Sequence, residues 1–292
     1  MNSRNSQVHT HSDPKVDFYD STYNRFDDSI YCEIRREIWQ EDFGQNGWIT
    51  AQEQDQFIQW LSLGSGQRLL DVACGTGGPS LRIARKSGAH VVGIDIHRDG
   101  IRVAQRESAR DGPAGVATFQ LVDAQGPLPF DDGSFDAVMC IDAINHLADR
   151  TRVFAEWARV LKPGGRLLFT DPAIVSGLLA KDEIAVRSSI GFFVFVAPET
   201  NDRMLAEAGF QLTRKADLSE ATAQVAADWH AARQKRSAEL TRIESEETFQ
   251  GQQRFLNVTA RLAGERRLSR FAYLACRNEA SHLIPAASQH CK

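Results

Sequence analysis

Short apolar runs alternate with longer amphipathic segments between residues 64 and 172, and this alternation sets the fold class. RLLDVA (68–73), HVVGIDI (90–96), ATFQLVDA (117–124), FDAVMCID (135–142) and RLLFTDP (166–172) suit strands buried in a parallel sheet. Between them, GPSLRIARKSG (78–88), RDGIRVAQRESARDG (98–112) and TRVFAEWARVLKPGG (151–165) read as helices, each closed by glycine. Strand and helix in turn predict a doubly wound α/β sheet with right-handed crossovers.

The flanks follow other rhythms. Residues 1–15 have almost nothing to bury and read as a disordered tail. Residues 16–63 read as an N-terminal helical cap: SIYCEIRREIWQEDF brings Ile30, Ile34, Ile38 and Trp39 towards one face. GQNGW breaks this helix, and TAQEQDQFIQWLSL restarts it with Thr50 and Glu53 in capping-box spacing. After Asp171 an apolar, Phe-rich cap insertion (173–200) predicts one or two helices. Residues 201–277 would complete the core with a short helix, a sixth strand (210–218), a long charged helical stretch broken at Gly251, and a final antiparallel strand (267–277). Residues 278–292 read as a loose tail. No internal repeat is visible.

Bulk properties narrow the functional classes. With 292 residues, net charge −4 and a pI near 6.1, the chain has no basic footprint, so nucleic acid is not an expected partner. Five scattered cysteines without a CxxC pair read as reduced thiols of a cytoplasmic protein, with no metal expected. No secretory signal and no membrane span are expected. A homodimer stays open.

The candidate chemistry lies at the carboxyl ends of the strands, where α/β sheets bind ligands. LLDVACGTGG (69–78) places Asp71 ahead of a turn holding Gly75, Gly77 and Gly78. Asp95 ends the second strand, where a carboxylate can accept from both ribose hydroxyls. Asp123 ends the third, where it can accept from an exocyclic amine. A dinucleotide fingerprint would want glycine at position 80, which is Ser80, and no acid beside the pyrophosphate. The P-loop reading fails for lack of a G-K-[ST]. A cationic adenosyl cofactor suits an acid there.

These stretches together resemble the class I S-adenosylmethionine-dependent methyltransferases. LLDVACGTGG is similar to their first motif, VVGIDI to the ribose-binding strand end, LVDAQGPLPFDDGSFDAVMCIDAINHL to the adenine and fourth-strand motifs, and EWARVLKPGGRLLFTDP to the late motif. The family often has Gly–Cys where this chain has Ala73–Cys74. The resemblance implies a Rossmann-like core over 64–172 and S-adenosylmethionine as cofactor. Ala73, Gly75 and Gly77 would line the methionine portion, with Asp71 supporting the turn. Asp95 would hold the ribose, and Ile96 would pack on adenine. Asp123 and Ala124 would meet the adenine edge, and the backbone of Cys140 and Ile141 the methionine end. EDFGQNGWIT resembles the cofactor-covering stretch of phosphoethanolamine N-methyltransferases, which implies that Trp48 and Thr50 close over the cofactor.

For the methyl acceptor, His146 is a candidate base or packing residue, and Asp171 is a candidate to orient the acceptor or His146. Tyr19, Tyr23, Tyr31 and the Phe192, Phe193 and Phe195 group are candidate pocket walls. The acceptor is expected to be a hydroxyl or amine of an apolar metabolite. C-methylation of a quinone or prenyl-type substrate and a non-catalytic cofactor-binding relative are the alternatives.

Overall fold

The computed structural model describes residues 16, 18–39, 41–110 and 117–279. The tail expected at 1–15 lies outside the described residues, as does the tail expected at 278–292 apart from residues 278 and 279. Before the sheet come helices α1 (Tyr19–Asn24), α2 (Ser29–Ile38) and α3 (Ala51–Leu61). The alternating region then gives β1 (Arg68–Val72), α4 (Gly78–Ser87), β2 (His90–Asp95), α5 (Arg98–Arg110), β3 (Ala117–Leu121), β4 (Phe135–Cys140), a 3-10 turn (Ile144–His146), α6 (Arg150–Val160) and β5 (Leu161–Val175). The remainder is α7 (Lys181–Arg187), α8 (Thr200–Glu207), β6 (Phe210–Asp217), α9 (Ser219–Lys235), α10 (Ser237–Glu244), α11 (Glu246–Gly264) and β7 (Leu268–Arg277).

The strands form one sheet in the order β3-β2-β1-β4-β5-β7-β6. β1 to β5 pair in parallel, and β7 runs antiparallel to both β5 and β6. Period-two alternation sends successive side chains to opposite faces. Leu70, Val72 and Val138 join Phe154, Trp157 and Leu205 of α6 and α8 on one face. Leu69, Ala137 and Leu168 join Phe57, Ile83 and Ile101 of α3, α4 and α5 on the other. A third cluster, from Phe18 and Ile30 to Trp229, Leu240 and Phe255, holds α1, α2, α9, α10 and α11 together as the cap.

Three expectations need correction. The helix expected over 151–165 stops at Val160. Leu161 is already extended, in keeping with Pro163 two residues on, which disfavours helix before it and has no N–H to give. The expected break at Gly251 falls inside α11; the chain breaks instead at Arg236 and at Ser245, which caps α11 by accepting from the Thr248 N–H. Gly251 is a close-packing point: a Cβ there would meet Val16 Cγ2 at 2.6 Å. In the insertion, β5 runs on to Val175, past a bulge at Pro172, and α7 covers only seven residues.

Candidate active site

A cavity of about 350 Å³ opens where the carboxyl ends of β1, β2 and β4 meet the cap. One end is built from the sheet: Asp71, Ala73, Gly75, Asp95, Ile96, Asp123, Ala124 and Ile141 line it. The other is built from the cap, the insertion and the 3-10 turn after β4, with Tyr19, Trp48, His146, Arg187, Phe193 and Phe255 on its walls.

At the sheet end, carboxylates shape the turn. The Ser80 hydroxyl donates to buried Asp71. Burial pushes the Asp71 carboxyl up to about 7, against the pull of that hydroxyl. Asp95 accepts the Gly75 N–H at 2.8 Å on one oxygen and the His97 N–H at 2.7 Å on the other. Burial raises its pKa as well. Ala73 sits at φ +59, a left-handed conformation costly for a residue with a Cβ. Gly77, in the same region at φ +77, is the N-cap of α4. Ile96 is 66% exposed, a large apolar side chain open in a site lined by acids.

The covering stretch lies directly on this turn. A Cβ on Gly78 would fall 2.2 Å from the Phe43 carbonyl oxygen, so only glycine lets the two backbones approach. Asn46 donates to the Thr76 hydroxyl, which donates to the Gly44 carbonyl. The Trp48 N–H donates to Asp142 at 3.0 Å. Asp142, at φ +55 just past β4, also accepts from the Thr170 hydroxyl and from Arg270. Arg270 spans on to Glu53 with 3.0 Å contacts to both oxygens. One buried guanidinium thus ties β7 to the end of β4 and to the first turn of α3.

At the cap end, His146 Nδ1 lies 2.8 Å from the Phe192 carbonyl, which can only accept, so Nδ1 carries the proton. Nε2 therefore accepts from the Tyr19 hydroxyl at 2.9 Å. Burial lowers the His146 pKa below its usual 6.5 and raises that of the Tyr19 phenol. The imidazole is neutral and pre-oriented, with the Phe193 ring packed edge-on at 4.6 Å between centroids.

Four of the expected site residues fall outside the cavity walls. Asp171 is fully buried and held by Arg150 at 2.5 Å and Asn201 at 2.9 Å, so its carboxylate braces α6 against β5 rather than facing an acceptor or His146. Cys140 points into the core, where Leu70 and Val138 also pack. Thr50 caps α3, its hydroxyl accepting from the Glu53 N–H. Gly77 shapes the turn without lining the cavity. Tyr31 turns away to Glu244, while Tyr23 lines the cavity with Tyr19. Sequence reasoning missed Asp142, Asn145 and Arg187. Asp142 had a signal, an acid closing the fourth apolar run. Asn145 adjoins the expected His146 in the 3-10 turn after β4, whereas Arg187 had no signal, because only the closed cap brings it to the cavity.

The residues present fit a cationic adenosyl group. The sheet end offers acids and an open apolar side chain, and among the described residues Arg187 is the only Lys or Arg on the walls of the cavity. A pyrophosphate would meet Asp71 and Asp95 with no cation to balance it. Among the described residues no helix is long and apolar enough to cross a membrane.

Comparisons with known proteins agree. Residues 70–169 match the methyltransferase domain family. The 27-O-demethylrifamycin SV methyltransferase of Amycolatopsis mediterranei is 30% identical over 204 residues, which cover 66% of this chain and 75% of that protein. Methyltransferase GfsG of Streptomyces halstedii is 35% identical over 174 residues, 58% of this chain and 61% of that one, so the match spans about three-fifths of its length. The fold is shared with the cyclopropane synthase MmaA2 from Mycobacterium tuberculosis, at a TM-score of 0.74 and 19% identity, covering 90% of this chain and 99% of that one.

Proposed function

The chain belongs to the class I S-adenosylmethionine-dependent methyltransferases, and from that premise we propose that it methylates a hydroxyl or amine of an apolar or aromatic small molecule held under the cap. The observation that carries this reading is the Tyr19–His146 pair on the cavity wall. When bound, S-adenosylmethionine supplies an electrophilic methyl on a sulfonium. Asp71, Ala73, Gly75, Asp95, Ile96, Asp123, Ala124 and Ile141 are the residues that would hold it.

The chain's own part is to orient the acceptor, exclude water and move one proton. An acceptor hydroxyl or ammonium that donates to the Tyr19 oxygen can pass its proton through the phenol to His146 Nε2. The Phe192 carbonyl keeps the ring in the receptive tautomer. Burial keeps His146 unprotonated below its usual 6.5, so the base persists on the acid side of neutrality. Phe193, Trp229 and Phe255 keep the transfer dry. An acceptor that loses a proton makes use of this pair, which favours O- or N-methylation over C-methylation of a prenyl chain.

Thermal-shift titration tests the cofactor first: S-adenosylhomocysteine should stabilise the protein and NAD should not. His146→Ala and Tyr19→Phe should then lower turnover by at least about tenfold while leaving S-adenosylhomocysteine affinity within about twofold. Stabilisation by NAD alone would remove the cofactor assignment. Unchanged turnover in both variants would retire the pair as a proton acceptor.

A further inference from the structure

The cap end of the cavity holds a positive charge that the proton transfer does not use. Arg187, the last residue of α7, is 2% exposed and lines the cavity. Its Nη1 donates to the Thr259 hydroxyl at 2.7 Å, and its Nε is buried without a partner. The guanidinium lies over the Phe193 and Phe255 rings, 5.4 and 4.7 Å from their centroids. Asp142 and Tyr19 are the groups whose charge it feels. Asp142 is already paired with Arg270, and Tyr19 is held as the neutral phenol. Burial brings the Arg187 pKa down to about 10, which still leaves a cation at neutral pH.

Asn145 lines the same cavity, is 1% exposed, and has neither its amide nitrogen nor its amide oxygen bonded. A buried cation without a counter-ion is strongly unfavourable, and an unsatisfied amide adds to that cost. A ligand that brings its own negative oxygen gives the cation a counter-ion and the Asn145 amide N–H an acceptor.

Resting on the methyltransferase reading above, we propose that the acceptor carries a single negative charge, a carboxylate, which Arg187 receives through its free Nε edge while Asn145 donates a hydrogen bond to it. The planar guanidinium fork matches a carboxylate. The charge count favours a monoanion. Asp142 aside, Asp71, Asp95 and Asp123 also line the cavity, where Arg187 is the single guanidinium among the described residues, so a phosphate dianion would stay under-neutralised. Phe193 and Phe255 give the acceptor's apolar body a place beside its charged end.

The test is calorimetric titration of the protein, saturated with S-adenosylhomocysteine, with benzoate, benzamide and phenyl phosphate. The wild-type protein should bind benzoate at least about tenfold more tightly than benzamide, and more tightly than phenyl phosphate. Arg187→Met, which keeps the packing on the two rings, should abolish the preference for benzoate and leave S-adenosylhomocysteine affinity unchanged. Equal binding of benzoate and benzamide to the wild type overturns the proposal without recourse to any variant. Tighter binding of phenyl phosphate overturns the monoanion. A loss of S-adenosylhomocysteine affinity in Arg187→Met also overturns it, because the guanidinium would then be reading the cofactor. Failure of the wild type to bind S-adenosylhomocysteine would instead sink the underlying methyltransferase reading, and the proposal with it.

Discussion

At the scale of single residues, two positions at the end of β1 carry strain that can be measured. Ala73 holds a left-handed backbone that costs a non-glycine residue ~1–2 kcal/mol, whereas glycine would lose ~0.4–1 kcal/mol of chain entropy on folding. Ala73→Gly should therefore raise stability by up to about 1 kcal/mol in urea unfolding. A clear loss would mean that the Ala73 methyl packs better than its backbone suggests. Asp71 titrates near 7 in the folded protein against 3.8 when free. Between those values the folded state holds a proton that the unfolded chain has released, so this group's contribution to stability falls as pH rises. A cationic ligand favours the carboxylate and expels that proton. Calorimetry in buffers of different ionisation enthalpy should show proton release on S-adenosylmethionine binding at about pH 6.5, and none at about pH 8.5. Absence of release at the lower pH would remove Asp71 from contact with the ligand's charge.

Elements carry the site through their ends, and the Glu53–Arg270–Asp142 network shows how. Glu53 completes the capping box of α3, Arg270 comes from β7, and Asp142 follows β4. Arg270→Met leaves two buried carboxylates without a cation, so stability should drop by about 3–5 kcal/mol, read by urea unfolding. A drop below ~1 kcal/mol would mean that water reaches the network.

The parallel part of the sheet was legible in the sequence because β1 to β5 each contain an apolar run and each crossover helix has a glycine or capping signal. Asp71, Asp95 and Ile96 were legible for the same reason: a strand end places them. The capping box at Thr50 and Glu53 was read from its spacing, yet its role in the site was not, since the partner of Glu53 lies on the last strand. Asp171 misled because a strand-end acid looks the same whether it faces a ligand or a buried arginine such as Arg150. Arg187 stayed hidden because nothing in a short apolar insertion says which side chain the cap will enclose.

For the whole molecule, the closed cavity depends on the N-terminal stretch staying docked across the cap. Val16 donates its N–H to Ser189 at 2.7 Å and fills the notch at Gly251 in α11. Gly251→Ala should favour the helix locally by about 1 kcal/mol while its new methyl displaces Val16. The expected result is a melting temperature unchanged or raised, together with faster tryptic cleavage between α1 and α2 and weaker acceptor binding. Unchanged proteolysis and binding would show that the cap holds without this contact.

The Arg270–Asp142 pair also has a consequence for how the protein is made. Its partners are 128 residues apart, with the acid emerging first. At a synthesis rate of roughly 5–20 residues per second, Asp142 waits about 6–25 seconds on the ribosome for its cation. Through that interval a nascent chain already holding β1 to β4 and the glycine turn has an acid held by the Thr170 hydroxyl but with no cation to neutralise it. Competence to take up the cofactor therefore arrives late in translation, with β7, and a chain stalled before Arg270 would present chaperones with an empty, open half-site.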